Sequence, residues 1–267
     1  MSAIDELFQR LRTEGRKALM PFITAGDPDL PATAALLREL QRRGCALAEL
    51  GIPYSDPIAD GPVIQASYTR ALDKHVKLKE ILATLQATPL EMPVVTMVSY
   101  AIILRHGLRD YVQAAKAAGA AGAIVPDLLV EEAGDLRAVC EAEDFSLIQL
   151  VTPTTPRERA LRIAESSSGF LYYVSVTGIT GERTQLPAEL TDNVAWLRER
   201  TALPICIGFG ISQAEHVRLL SPVADGLIVG SAIMRRIEAA GSDIDKMIAD
   251  VGEYVGELQA ALDGSVA

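Results

Sequence analysis

The sequence predicts an α/β protein with a single-domain (β/α)8 TIM barrel, in which eight parallel strands close into a ring surrounded by helices. Eight short apolar runs alternate with stretches of helical periodicity along 267 residues, which gives about 33 residues for each strand–helix unit. The runs are almost continuously apolar, which is typical of strands buried on both faces in a parallel sheet. Neither a linker nor a shift in composition divides the chain, so we expect residues 1–267 to form one domain. Counting alone leaves a doubly wound open sheet as the alternative.

The predicted elements follow one another at regular intervals. Strands are expected at residues 19–24, 46–51, 94–99, 123–125, 147–151, 170–174, 205–208 and 226–229. Helices are expected at residues 31–43, 78–87, 108–118, 131–143, 156–165, 188–200, 212–220, 231–239 and 244–262. An amphipathic pattern in the first 15 residues predicts an extra helix that covers the bottom of the barrel. Ser212, three residues before Glu215, fits a capping box at one helix start.

Composition and net charge limit the classes of binding partner that the chain can have. Hydrophobic residues make up 49% and charged residues 22% of the chain, as in a globular protein with a sizeable core. The 25 basic and 35 acidic residues give a net charge of −10, which argues against non-specific binding to nucleic acid or anionic membranes. An anionic substrate is still allowed, because backbone N–H groups can hold a phosphate with little net positive charge.

Cysteine and histidine spacing indicates neither disulfides nor metal. The cysteines (Cys45, Cys140 and Cys206) form no Cys-x-x-Cys pair, and the histidines (His75, His106 and His216) lack close acidic or cysteine partners at metal-ligand spacing. The N-terminal residues lack the apolar core of a signal peptide, and no apolar run approaches membrane-spanning length. We therefore expect a cytoplasmic protein without a metal.

The second strand and its loop carry the strongest chemical signal. Glu49 lies inside an apolar run, and a buried carboxylate without partners tends to take up a proton. Asp60 follows on a proline-rich loop, and two acids in unlike surroundings suit acid–base catalysis at neutral pH. On spacing alone, Asp56 is an equally plausible second acid. A paired structural glutamate is the alternative for Glu49.

Two glycine-rich turns, at residues 207–212 and 228–233, close the seventh and eighth units. Barrels often bind a phosphate between these two loops, at the start of a short extra helix, and residues 231–234 fit that helix. The alternative is that the glycines only make tight turns. The sixth loop, at residues 175–184, is long and polar and could close over a ligand or remain a solvated loop.

Taken together, these motifs resemble the tryptophan synthase alpha chain family. The resemblance covers most of the chain, and its most specific part is the Glu49 strand followed by Ser-Asp-Pro and Ala-Asp-Gly-Pro. The motifs that carry it are at residues 21–28, 49–57, 59–65, 126–128, 152–155, 172–181, 208–212 and 230–233. The resemblance implies a barrel that cleaves indole-3-glycerol phosphate to indole and glyceraldehyde 3-phosphate without a cofactor.

The resemblance also implies roles for individual residues. Glu49 would be the acid–base that protonates the indole ring carbon, and Asp60 would stabilise the charge that develops on the indole N–H. Thr180 would orient Asp60, and Tyr172 would lie beside the glycerol chain. Further residues resemble the pocket lining (Phe22, Ile64 and Tyr100) and the phosphate cradle (Gly181, Phe209, Gly210, Gly230 and Ser231).

The family further implies a partner, the pyridoxal-phosphate-dependent beta chain, in an α2β2 heterotetramer. Residues 53–58 and the sixth loop resemble the surfaces that meet it. Two departures from the family pattern are Ala101-Ile102 after Tyr100 and Leu129-Val130 after residue 128. The first bears on the geometry of the third-strand loop and on coupling to the partner rather than on the chemistry. The rival hypotheses are a stand-alone lyase that needs no beta chain, another phosphate-binding barrel such as an isomerase, and a non-catalytic scaffold.

Overall fold

The computed structural model describes residues 2–58, 60–174, 188–208 and 210–264. Within these ranges, nine strands form one parallel sheet in the order β5-β4-β3-β2-β1-β9-β8-β7-β6. The strands are β1 Ala18–Thr24, β2 Ala48–Gly51, β3 Val94–Met97, β4 Ala120–Ile124, β5 Ser146–Ile148, β6 Leu150–Val151, β7 Leu171–Val174, β8 Ile205–Gly208 and β9 Gly226–Val229. Residues in β1 and β2 are buried on both faces, as the continuous apolar runs predict.

The sheet closes because β5 and β6 are one barrel strand interrupted at Gln149. β5 pairs with β4, and β6 pairs with β7. The Gln149 side chain turns to the Ser166 hydroxyl at 2.8 Å, while its carbonyl accepts the Tyr172 N–H at 3.1 Å. The prediction of a (β/α)8 barrel is therefore confirmed, and the open-sheet alternative is wrong.

The described residues contain twelve helices that surround or extend the sheet. They are α1 Ala3–Thr13, α2 Leu30–Arg42, α3 Pro62–Asp73, α4 Leu78–Gln86, α5 Tyr100–His106, α6 Leu108–Ala117, α7 Gly134–Ala142, α8 Arg157–Ser166, α9 Ala188–Arg198, α10 Ala214–Leu220, α11 Ser231–Ala240 and α12 Ile244–Asp263. α3 and α5 are additions to the predicted set. Among the described helices, none is both long and apolar enough to cross a bilayer.

One predicted helix start is wrong. α10 begins at Ala214 after Gln213, and no side-chain cap of the Ser212–Glu215 type forms. Instead, the Ser212 N–H donates to Nδ1 of His216 at 3.3 Å. His216 therefore accepts the Ser212 N–H hydrogen bond that the predicted capping box assigns to the Glu215 carboxylate.

α1 lies at the N-terminal ends of the strands, where the amphipathic pattern places it. Its Phe8 ring packs on Phe170, just before β7, with ring centroids 5.9 Å apart. Ser2, which caps α1 together with Asp5, accepts a hydrogen bond from the buried Ser146 hydroxyl at the start of β5. The prediction of an N-terminal helix that covers the bottom of the barrel is confirmed, and the opposite face is left to the loops.

Candidate active site

Glu49 points into the barrel interior near the C-terminal end of β2. It pairs in register with Phe22 on β1 and Val95 on β3. Its charge acts on Tyr172 and Cys206, which lie on β7 and β8. Because these strands are not neighbours of β2 in the sheet, the side chains interact through the interior. The register and this interaction together exclude an outward-facing Glu49.

The Glu49 carboxyl group is isolated from polar partners. The residue is 0% exposed, and neither carboxyl oxygen has a hydrogen-bond partner among the described residues. Burial, and secondarily the carboxylate of Asp60, raises its pKa well above the ordinary value of 4.5. A glutamic acid that keeps its proton near neutral pH can act as a proton donor.

Asp60 lies on the loop between β2 and α3, and its backbone is fixed by its neighbours. Its N–H donates to the Pro57 carbonyl at 3.1 Å, and its own carbonyl accepts from Gln65 Nε2 at 2.7 Å. Burial raises its pKa to about 6, and a hydrogen bond from the Tyr54 hydroxyl opposes that rise. The Asp60 carboxyl thus has a donor that opposes the effect of burial, whereas Glu49 has none, and this gives the two acids the unlike surroundings that acid–base chemistry requires.

The structure separates Asp60 from Asp56, the other candidate acid. Asp56 is exposed, and its carboxylate accepts a hydrogen bond from the adjacent Ser55 hydroxyl at 2.6 Å. Asp60 instead acts electrostatically on Glu49, Tyr68 and Tyr172. Only Asp60 of the two has these electrostatic connections to the buried acid.

Tyr172 lies in the interior on β7, across the barrel from β2. A Cβ added at Gly208 on β8 would come within 2.7 Å of its Cζ, so the glycine leaves the space that the ring occupies. Burial raises the Tyr172 pKa well above its ordinary value, with smaller contributions from Glu49 and Asp60. The phenol therefore stays protonated and can offer a hydrogen bond beside the two acids.

Phe22, Ile64 and Gly230 converge on the side of the site where β1 pairs with β9. A Cβ built on Gly230 would lie 3.6 Å from Phe22 Cβ and 3.8 Å from Ile64 Cδ1. Gly230 also precedes α11, whose first residue is Ser231. The start of α11 thus borders the predicted pocket lining.

The turns after β8 and β9 are neighbours because the two strands pair, with Gly208 opposite Ile228. Gly210 is exposed and has φ +63°, a backbone conformation that favours glycine. Gly210 and the start of α11 are consequently on adjacent turns, where backbone N–H groups and the helix dipole suit an anion.

A partly buried guanidinium holds α3 and α11 beside the end of β1. Arg70 on α3 donates to both carboxylate oxygens of Asp27, at 3.0 and 2.7 Å, and to Glu238 on α11 at 2.9 Å. One guanidinium therefore links the helix that follows Asp60 to the helix that starts at the glycine-rich turn. This fork geometry favours arginine over lysine.

Tyr100, another predicted pocket residue, is placed by Asp127. The Asp127 carboxylate accepts from the Tyr100 N–H at 2.8 Å and from the Ser99 hydroxyl at 2.6 Å, which fixes the start of α5. The sequence indicates Asp127 only as part of the motif at residues 126–128, and it indicates no role for Tyr54 or Tyr68. Thr180, Gly181, Phe209 and the sixth loop lie outside the described residues.

No group of three or more His, Cys, Asp or Glu side chains suited to a metal ion occurs within the part of the chain that the structure describes. Phenols, carboxyl groups and backbone donors make up the site. With this fold, such a set defines a (β/α)8-barrel enzyme of the acid–base class. The model of the tryptophan synthase alpha chain family matches residues 8–263, and the chain belongs to that family.

Relatives and solved structures agree with this assignment. The tryptophan synthase alpha chain of Rhodopirellula baltica is 56% identical over 278 residues, which cover 99% of this chain and 100% of the relative. The crystal structure of the alpha subunit from Legionella pneumophila superposes with a TM-score of 0.91 at 34% identity and 99% coverage of both chains. A chain of the Pyrococcus furiosus tryptophan synthase complex gives 0.83 at 34% identity, with 92% of this chain and 99% of that chain covered.

This family acts in tryptophan biosynthesis, where it cleaves indole-3-glycerol phosphate. The alpha chain has no cofactor of its own, since pyridoxal phosphate is on the beta chain. The predicted family is therefore confirmed, and the isomerase rival is wrong. The roles of individual residues in this chain remain predictions.

Gly51 provides a test of how tightly the site is packed. A Cβ added there would lie 2.5 Å from Phe22 Cζ and 2.9 Å from the Tyr68 hydroxyl. We expect Gly51→Ala to lower the free energy of unfolding by about 1–3 kcal/mol and to slow indole release. Thermal unfolding and an indole assay measure the two effects. Gly134→Ala is the control because nothing lies within 4 Å of its added Cβ, and a Gly51→Ala protein that matches it would contradict the prediction.

Proposed function

We propose that this chain is a carbon–carbon lyase that cleaves indole-3-glycerol phosphate to indole and glyceraldehyde 3-phosphate by a retro-aldol reaction. The observation that carries the proposal is Glu49, wholly buried and unpartnered among the described residues, beside an Asp60 of different electrostatic character. Cleavage requires a proton on a weakly basic ring carbon, and a carboxyl group that stays protonated can supply it.

The proposed steps balance through a single acid. Glu49 gives its proton to C3 of the indole ring, which leaves a cationic ring nitrogen whose N–H faces the Asp60 carboxylate. The bond from C3 to the glycerol carbon then breaks, and its electrons restore the neutral aromatic ring. The hydroxyl on that glycerol carbon becomes the aldehyde and returns its proton to Glu49. Asp60 stays ionised throughout and stabilises the charge on the ring.

The proposed substrate orientation follows from the positions of the glycine-rich turns and of the apolar pocket lining. The phosphate would bind at the turns of Gly210 and Gly230 and at the start of α11, with Ser231 as its first residue. Phe22, Ile64 and Tyr100 would line the pocket for the ring, and Tyr172 would lie beside the glycerol chain. Gly230 supports this placement, because a side chain at this position would point towards Phe22 and Ile64. In this assignment, Thr180, Gly181 and Phe209 complete the site from outside the described residues.

We also propose an α2β2 heterotetramer with the beta chain. Ile58, in the loop after β2, is 86% exposed, and Leu104 and Leu129 are exposed apolar residues in α5 and in the loop after β4. These three residues follow neighbouring strands of the barrel, and a partner that covers these loops would remove their apolar surface from water. Ile58 belongs to the segment whose sequence resembles a beta-chain contact.

The experiment that tests the function is an assay of indole from indole-3-glycerol phosphate, with the chain alone and with a beta chain added. We expect indole release in both cases and a faster rate with the beta chain. A rate that the beta chain leaves unchanged would favour the stand-alone lyase. An absence of indole under both conditions would favour the scaffold hypothesis.

A cytoplasmic location fits the cysteines. Cys45, Cys140 and Cys206 are all buried and free of disulfides. Burial raises the pKa of the Cys45 and Cys140 thiols to about 12, so these side chains behave as small apolar groups. Free thiols are usual in a reducing compartment.

A further inference from the structure

The Tyr68 hydroxyl is a buried polar group with no hydrogen-bond partner among the described residues. Tyr68 is 1% exposed, and it lies on α3, one turn after Ile64. A Cβ added at Gly51 would lie 2.9 Å from this hydroxyl, which places it beside the end of β2. Gly51 lies two residues after Glu49, so both project to the same face of the strand. Buried hydroxyls are normally paired, and this one lies at the site without a partner.

Tyr68 also contacts the tyrosine that holds Asp60. The rings of Tyr54 and Tyr68 pack with centroids 5.5 Å apart and an interplanar angle of 50°. The Tyr54 hydroxyl lies close enough to the Asp60 carboxylate to lower the Asp60 pKa as a donor would. The two phenols therefore flank the same loop, one acting on the carboxylate and one without a hydrogen-bond partner among the described residues.

The titratable groups that act on Tyr68 are all acidic or phenolic. They are Glu49 from β2, and Asp60 and Tyr54 from the loop after β2. The same pair of acids acts on Tyr172 from β7, and Asp127 from the loop after β4 acts on Tyr54. Of the acids, Asp60 is the one whose pKa a nearby tyrosine hydroxyl lowers, and a carboxylate has room for several donors. Asp60 is therefore the natural acceptor for a second phenol.

We propose that Tyr68 is a positioning residue that donates a second hydrogen bond to the Asp60 carboxylate when substrate is bound. With Tyr54, it keeps that carboxylate ionised and directed at the indole N–H. This inference rests on the proposed function of Asp60. It explains why a phenol is retained in an apolar position, where phenylalanine would fill the same space without leaving a hydroxyl unpaired in the free protein.

Tyr254 offers a matched comparison. Its hydroxyl is also buried and unpartnered in the described part of the chain, but it lies on α12, where the Arg236 guanidinium packs 3.5 Å from the ring centroid. Arg235, Arg236 and Glu257 are the charged groups that act on it, and neither acid of the site is among them. Removing that hydroxyl tests the general effect of an unpaired phenol without touching the site.

The experiment compares Tyr68→Phe, Tyr54→Phe, the double variant and Tyr254→Phe with the unmodified chain, in the presence of the beta chain. Each is assayed for indole release between pH 5 and 8 and for thermal unfolding. We expect Tyr68→Phe to move the acid limb of the kcat profile upward by about half a pH unit to one unit, because the ionised Asp60 loses a donor in the substrate complex. The double variant should move it further. Tyr254→Phe should leave it in place.

Thermal unfolding separates positioning from a structural role. Removing an unpaired hydroxyl should leave the Tm of Tyr68→Phe equal to or above that of the unmodified chain. An unmoved acid limb, or a Tm that falls in step with activity, overturns the inference about Tyr68 alone. If the unmodified chain releases no indole, or if Glu49→Gln retains full activity, the proposed function itself fails.

Discussion

Replacing Glu49 with glutamine is expected to lower kcat for indole release by about 10²- to 10⁴-fold, the range in which a positioned general acid contributes. Glutamine keeps the size of the side chain but cannot give up or recover the proton that the ring carbon and the glycerol hydroxyl exchange. The measurement is steady-state indole formation at pH 7 with the beta chain present. Assembly with the beta chain should be retained, because Glu49 is wholly buried inside the barrel.

The same substitution should raise stability, with an effect that grows with pH. The Glu49 pKa is raised in the folded protein, mainly by burial, above the ordinary value of 4.5 that the unfolded chain has. As the pH rises from about 4.5 towards the folded pKa, the unfolded chain releases this proton while the folded chain retains it. The unfolded state then binds fewer protons, so the free energy of unfolding falls with increasing pH. Glu49→Gln removes this loss, and its Tm advantage should be larger at pH 8 than at pH 5.

Glu39 supplies the matched control. It is also a buried glutamate, but Arg42 donates to it at 2.7 and 2.6 Å and Arg43 at 2.7 Å. Burial alone would raise its pKa, and the hydrogen bonds from the two arginines outweigh that effect and lower it. Glu39→Gln should therefore cost about 1–2 kcal/mol of stability, since both arginines are partly exposed, and leave kcat unchanged. Equal losses of activity in the two variants would contradict a catalytic role specific to Glu49.

The barrel was predictable because its strands carry the signal locally. A continuous apolar run does not depend on its neighbours, and all eight predicted strand positions contain a strand. The two helices that the sequence pattern does not predict, α3 and α5, depend on their surroundings in the folded chain. α3 begins at Pro62 directly after a proline-rich loop, which conceals its first turn. α5 has seven residues, and its start is fixed by Asp127, 27 residues beyond Tyr100, so its anchor is tertiary rather than local.

The acids of the site were predictable, whereas the tyrosines beside them were not. Glu49 stands out because a carboxylate in an apolar strand violates the local pattern. Tyr68 fits the local pattern, since a tyrosine on the buried face of an amphipathic helix is expected to be an ordinary core residue. Its significance depends on the space left by Gly51 and on the ring of Tyr54, and both relations exist only in the folded chain.

Asp60→Asn is expected to lower kcat by about 10²- to 10³-fold, because the amide cannot balance the positive charge that forms on the indole nitrogen. Indole formation at pH 7 measures the effect, and Asp56→Asn is the control. The assay uses the chain alone, because Asp56 belongs to the segment that resembles a beta-chain contact. Asp56 is exposed on the same loop, so its variant should turn over at the normal rate. A comparable loss in both variants would mean that loop charge, rather than the Asp60 carboxylate, supports the reaction.

The pH dependence gives the Asp60 prediction a second, independent test. Burial raises the Asp60 pKa to about 6 against the opposing Tyr54 hydrogen bond, and the reaction requires the ionised form. The kcat/KM of the unmodified chain should therefore fall as the pH drops through about 6, while Glu49 stays protonated throughout that range because its own pKa is raised. Asparagine does not titrate, so the residual activity of Asp60→Asn should lose this acid limb. If the acid limb persisted in Asp60→Asn, another group would be titrating. That group, rather than Asp60, would then be the one that stabilises the charge on the ring.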